Sequence, residues 1–464
     1  MNPAPTIGRR VRAGLVAATL AGTLLAAAGP ASAQTSTGDA NPSYLTRFGT
    51  RLVFVADDGV NSYGLYITDG TPAGTKLLKD IDPTTDFVTR GIGVFGGRVW
   101  FPAGDGTHGL ELWASDGRPA GTKLVKDINP TGGSFADAFI TMGGRLYFRA
   151  FDEAHGAELW RTDGTPKGTR MVKDSNPGDQ SGMSSDQVTR IGKRLVYAGQ
   201  DAIHGTEPWA SDGTPAGTRM LRNLRPGNFG GGPGALTAVG TVAYASMTDD
   251  VHGEELWRTD GTTKGTRMVK NMRPGAGSSG VQQITAVGSR IFFQAYGDGT
   301  AAEPYVSDGT AAGTRLIKDI RPGFFDSTPN HFTPAGKWVF FLADDGTHGE
   351  ELWRTDGTAK GTKLVKDIHP GIDPSQTYDL GALGGRVYFT ANDGTGSQLW
   401  RSDGTAAGTQ KVTSLPGGLD GGGYLLVGKR LYFGASDGVH GYELWRTDGT
   451  AKGTKLVKDI NAQP

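Results

Sequence analysis

The motif Asp-Gly-Thr-x-x-Gly-Thr returns nine times at almost constant spacing, once with its first Thr replaced, and nothing else in the 464-residue sequence narrows its fold so far. The Asp of each copy is Asp69, Asp116, Asp163, Asp212, Asp260, Asp308, Asp356, Asp403 or Asp448, with Arg118 in place of Thr in the second copy. Successive steps are 47, 47, 49, 48, 48, 48, 47 and 45 residues. A second block precedes each copy, as in Gly143–Ala150 and Gly428–Ala435. A fixed period of this length means that the fold is one unit repeated. The repeats span 42–464, leaving 34–41 as a short linker after an export signal at 1–33.

Each repeat reads as four short strands. In the third copy they are Ala138–Met142, Arg145–Phe151, Glu158–Thr162 and Thr169–Lys173. Val, Leu, Ile, Tyr, Phe, Trp and Thr fill them, and Gly, Asn, Asp and Pro fill the turns between. The run Leu146-Tyr147-Phe148 is apolar without alternation, as in a strand covered on both faces. Lys173 and Asp174 read as charges guarding an exposed outer edge. Four strands in about 47 residues is a β-propeller blade. The expectation is an all-β chain forming a single β-propeller of nine four-stranded blades. Eight blades plus one extra repeat is the alternative, since propellers commonly have 4–8 blades. No strand is left over to complete the first blade, so closure is expected from packing of blade one on blade nine.

Composition agrees once read in register. The 75 Gly and 24 Pro suggest loops or disorder, but most of the glycines punctuate strands. There is no Cys, hence no disulfide, thiolate metal site or cysteine nucleophile. Lys plus Arg equals Asp plus Glu at 47 each, which gives no reason to expect nucleic acid.

Residues 1–33 have the layout of a secretory signal peptide. Arg9, Arg10 and Arg12 precede the apolar run Ala13–Ala28, and Ala31-Ser32-Ala33 offers a cleavage site. The Arg pair leaves general and twin-arginine export both open. No later stretch could span a membrane as a helix. The expectation is a secreted monomer, free or loosely wall-associated.

Glu-Leu-Trp followed two residues later by Asp-Gly occurs at Glu111, Glu158, Glu255, Glu351 and Glu443. Pro208 and Pro304 replace Leu in two copies, Gln398 replaces Glu in another, and Gly64-Leu65-Tyr66 diverges most. In these motifs the chain resembles the ELWxxDGT repeat proteins, which are secreted or surface-associated. The resemblance implies a repeat fold and export. It supplies no catalytic residue.

Most repeated residues read as structural. Trp113, Trp160, Trp209, Trp257, Trp353, Trp400 and Trp445 are expected to be wedges between blades rather than sugar platforms. Asp116, Asp163, Asp212, Asp260, Asp356 and Asp448 are expected to cap their own turns, calcium being the rival reading. The motif Asp-x-x-His-Gly-x-Glu occurs six times, at Asp105/His108/Glu111, Asp152/His155/Glu158, Asp201/His204/Glu207, Asp249/His252/Glu255, Asp345/His348/Glu351 and Asp437/His440/Glu443. Such a trio could hold a divalent cation or a general base. A catalytic centre is needed once, so His108, His155, His204, His252, His348 and His440 are read as serving the repeat. No catalytic residue, resident metal or cofactor is expected.

Function is sought where repeats differ, in the loops leaving strand four. Phe324, Phe325, Asp326, His331 and Phe332 follow blade six, and His369, Asp373 and Tyr378 follow blade seven. Aromatics beside acids and imidazoles suit a carbohydrate or protein ligand. Packing of Phe324 and Phe332 on the next blade is the competing reading. Phe229 sits among glycines in 227–234 and ranks lower as a preformed site. The reading is an exported non-enzymatic propeller binding a cell-envelope polymer or a protein. A secreted polysaccharide hydrolase or lyase is the first alternative, and a structural surface component the second.

Overall fold

The computed structural model describes residues 38–60, 63–80, 91–419 and 423–462. The expected export signal at 1–33, residues 34–37 of the expected linker and the last two residues lie outside them. Short apolar strands joined by turns of two to seven residues satisfy their backbone groups on one another, and each repeat folds as one antiparallel sheet. Blade one comprises Ser43–Phe48, Arg51–Asp57, Tyr63–Thr68 and Lys76–Asp80. Blade three comprises Asp137–Met142, Arg145–Asp152, Gly156–Thr162 and Arg170–Met171. Nine such sheets pair in simple sequence order, which makes the fold a nine-bladed β-propeller. In blade nine the first strand is split into Gly418–Leu419 and Leu425–Val427, both on Arg430–Ser436. A 3-10 turn at Pro119–Gly121 is the one helical element among the described residues.

The unbroken apolar runs are explained by packing on both sides. Leu146 and Phe148 join the core between blades two and three, whereas Tyr147 joins that between blades three and four. Leu159 and Trp160 divide the same way, Trp160 toward blade two and Leu159 toward blade four. Each interface thus removes an aromatic ring and several aliphatic side chains from water, at roughly 1.5–3 kcal/mol per side chain.

The fourth strand does not use its charge as an edge guard. Lys173 reaches across to the next blade, lies 5.5 Å from the Trp209 ring and donates to the Thr218 carbonyl at 3.0 Å. Lys126 does the same with Trp160 and Thr169, and Lys318 with Trp353 and Thr362. These cations are latches between blades.

The ring closes face to face. Leu52, Phe54 and Tyr66 of blade one pack with Val427, Tyr432, Leu444 and Val457 of blade nine. Lys458 donates to the Thr75 carbonyl, continuing the latch across the seam. The expected linker also takes part from residue 38 onward. Ala40 and Asn41 donate to the Tyr442 carbonyl, and Tyr442 N–H donates to Asp39 Oδ1 at 2.8 Å. The tail thus adds backbone hydrogen bonds to the apolar packing that joins blade one to blade nine.

Alternate turns of an up-and-down sheet fall on opposite ends. The turns between strands one and two and between three and four therefore share one face of the disc, here the turn face. The loops between strands two and three, and from strand four to the next blade, share the other, here the loop face.

Candidate functional site

The loop face is built on a repeated tight turn. In blade three, Asp152 Oδ1 accepts the N–H groups of Ala154 and His155 and the Nδ1–H of His155 at 2.7 Å. The carboxylate fixes the proton on Nδ1 and leaves Nε2 as the free ring nitrogen. His108, His204, His252, His348 and His440 are held on their Asp in the same way, at 2.8–2.9 Å. Each imidazole is about one-third exposed. The Asp hydrogen bond raises the pKa of His108 and His348. Gly156 follows with φ of +66°, and a Cβ there would lie 2.6 Å from the backbone of Gln180 and Ser181. Glycine lets the loop from strand four settle directly on the turn.

The Glu of the same motif turns away from the His, into the blade. Glu111 is fully buried, and its carboxylate accepts the N–H groups of Ile128, Asn129 and Ser134. Glu207 receives Leu224, Arg225 and Gly231 likewise. These acids pin the start of each outgoing loop. Burial raises their pKa, to about 7 at Glu158, Glu303 and Glu351 and about 8 at Glu443. Among the described residues no three His, Asp or Glu side chains converge as a cation cage. The repeated trio is an Asp–His pair plus a separate loop pin.

The expected Trp and Asp positions are equally local. Trp113, Trp160, Trp209, Trp257, Trp353, Trp400 and Trp445 are all buried between blades. Asp163 accepts the N–H and hydroxyl of Thr165, and Asp212, Asp260, Asp356 and Asp448 repeat this with their own Thr. Asp116 accepts only the N–H of Arg118, where the Thr is missing.

The loops that differ between blades divide the expected ligand residues. Phe324 is fully exposed and Phe325 is 68% exposed. The Arg321 guanidinium lies 5.2 Å from the Phe325 ring and is itself fixed by Asp344 at 2.6 Å. Asp326 is committed to structure, accepting Tyr296 Oη–H and the N–H of Ala302. Phe332 does not belong to the face. It is buried in the core of blades six and seven, stacked on Phe341 at 5.3 Å. It occupies the inward position of a first strand, where the hydrophobic alternation overrides the loop composition before it. His331, one residue earlier, is exposed with φ of +54° beside a bulge in that strand.

After blade seven, Asp373 is exposed and Tyr378 is 43% exposed at the start of the next first strand. His369 is half-buried, its N–H on Glu351 and its Nδ1 without a partner. No hydrogen bond joins this group to the Phe324 loop among the described residues. The two groups share a face on neighbouring blades without forming one closed pocket.

Sequence reasoning missed the arginine set beneath the aromatics. Arg225, Arg273 and Arg321 each stand before Pro-Gly at one position of three consecutive outgoing loops. Arg225 lies 5.5 Å from the Phe229 ring and pairs with Asp250 at 2.9 Å. Phe229 is 77% exposed yet mounted on a loop that Glu207 pins at both ends, so its glycine neighbours do not disqualify it. The repeated Arg-Pro-Gly was the available signal.

No family model matches this sequence, and no curated protein matches it. Several solved structures align with parts of this chain. The computationally designed Ika8 protein aligns over 78% of this chain and 97% of its own, with 16% identity and a TM-score of 0.43. A prolyl endopeptidase structure aligns over 79% of this chain and 54% of its own, with 15% identity and a TM-score of 0.41. A puromycin-hydrolyzing peptidase of Mycobacterium tuberculosis aligns over 77% and 59%, with 12% identity and a TM-score of 0.40. The chain thus spans little more than half the length of these peptidases. The nine-bladed assignment rests on strand pairing, not on these likenesses.

Proposed function

We propose that this chain is an exported, non-enzymatic binding module whose loop face takes a carbohydrate polymer or protein of the cell envelope. One observation carries the reading. Phe324, Phe325 and Phe229 stand exposed on loops whose backbones are already pinned, two of the rings against an ion-paired arginine. Rigid aromatics of this kind bind with little ordering cost. The raised-pKa glutamates, the natural general acids of a hydrolase, are buried loop pins that no substrate reaches, which supports binding over turnover.

The test is a glycan and cell-wall binding array on the chain from Gln34 onward, run beside a polysaccharide hydrolase screen. F324S/F325S is expected to lower binding at least tenfold while Tm stays within 2 °C, as both rings are exposed. Turnover of any screened polysaccharide, or binding indifferent to this double substitution, would overturn the reading.

A further inference from the structure

The zero net charge of the sequence hides a segregation that the propeller topology creates. Consider the turn face: each turn between strands one and two or three and four, the two residues entering it and the one leaving it. These positions hold 30 Lys and Arg against nine Asp. Everything else in the chain holds 17 Lys and Arg against 38 Asp and Glu. The nine Asp are the turn caps, already committed to their own Thr or Arg. Every ion pair among the described residues lies away from this face. Its cations thus outnumber its acids by more than three to one, and none of them is held in an ion pair among the described residues. The turn Asp register that field: after the hydrogen bonds of their own Thr, arginines such as Arg145, Arg290 and Arg446 help hold Asp163, Asp308 and Asp69 below the usual carboxylate range.

The charges gather in clefts. In blade three, Arg145, Arg161, Lys167 and Arg170 surround a cleft of about 260 Å³ in which Asp163 is the lone acid. Blade nine repeats the quartet as Arg430, Arg446, Lys452 and Lys455. Arg161 and Arg401 each use one Nη on the Gly carbonyl of the next blade's turn, which orients the guanidinium without neutralising it.

We infer that the turn face is a second binding surface, distinct from the loop face, for a flexible acidic polysaccharide bearing uronate or sulfate groups. Cations set around a ring favour a chain that can bend from blade to blade; a straight duplex would cross only a chord of the disc. No aromatic is free to stack bases here. Trp338 lies between Lys337 and Arg354, and Phe48 lies beneath Arg51. Single-strand recognition leans on such stacking. The exposed large apolar side chains at these positions, Val94 and Leu426, stand on first strands at the channel rim, so nothing on the broad face inserts into a bilayer.

The probe is polygalacturonate, with dextran as neutral control and duplex DNA and phosphatidylglycerol vesicles as rival polyanions. Binding is expected to weaken at least tenfold between 50 and 200 mM salt, as multi-point charge pairing does. K167E/R170E/K452E/K455E alters four exposed side chains that make no hydrogen bond, and is expected to weaken binding at least tenfold at 50 mM salt. K264E/K360E, at the same turns of blades five and seven, is expected to give a smaller loss with an unchanged circular dichroism spectrum. F324S/F325S is expected to leave polygalacturonate binding intact, which separates this surface from the loop-face proposal. The inference is overturned by no binding, by binding indifferent to charge reversal, or by tighter binding of DNA or vesicles. It is equally overturned if the chain alone forms low-salt stacks that charge reversal abolishes, for then the basic face is met by the acidic face of a second copy.

Discussion

Replacing Glu351 with Gln isolates the energetic cost of a buried loop pin. Glu351 is fully buried and accepts the N–H of His369 on Oε1, while Oε2 has no hydrogen-bond partner. Burial, opposed by the His369 N–H and reinforced by Asp367, raises its pKa from 4.5 to about 7. Below pH 4.5 the folded and unfolded states both hold the proton. Between about 4.5 and 7 the folded state keeps a proton that the unfolded chain releases, so stability falls as pH rises, and above about 7 the loss is complete. That gap amounts to about 3 kcal/mol. An amide keeps the acceptor for His369 and cannot ionise. Blade eight already uses it, with Gln398 Oε1 accepting Leu415 N–H at the same position. E351Q should therefore change stability by less than about 1 kcal/mol at pH 4 and gain about 2 kcal/mol at pH 8, after allowing for a weaker neutral hydrogen bond. Urea unfolding of both proteins from pH 4 to pH 8 measures this. Equal destabilisation by E351Q at both ends would show that the fold needs the carboxylate charge, and the reasoning would fail.

Other perturbations probe separate parts of the ring. G156A should cost more than about 2 kcal/mol, because the residue has φ of +66° and its Cβ would enter the Gln180–Ser181 backbone; Tm reports it. K126A should cost about 1 kcal/mol through loss of the Thr169 hydrogen bond and the Trp160 contact, and the shortfall should not vary between 0.1 and 1 M salt if packing on the ring dominates. D39A should loosen the seam alone, seen as faster amide exchange at Tyr442 with Phe148 and its neighbours unaffected.

Much of the fold was legible because each repeat carries its own instructions. A positive-φ glycine opens each tight turn between strands one and two, and the Asp-Gly-Thr hydrogen bonds close within six residues. Strands expected at Arg145–Phe151 and Glu158–Thr162 fall within one or two residues of those found. The Asp–His pairs are three residues apart, so spacing alone brought them together. The Glu pins were harder. Their partners lie 17 and 18 residues on, across a strand pair whose register only the folded sheet defines. The ligand loops were hardest. Phe324 and Phe332 are eight residues apart in one polar, Pro-containing stretch, yet one is fully exposed and the other is core.

The sequence by itself determined the repeat, its strands and its turns, since those depend on neighbours within about twenty residues. Tertiary structure decided the rest. It settled nine blades by the fit of blade one, with the tail from residue 38, against blade nine. It decided which apolar side chains face the next blade and which face water. It also sorted the balanced charges onto two faces, because consecutive turns emerge at opposite ends of a sheet and a composition total cannot tell one end from the other.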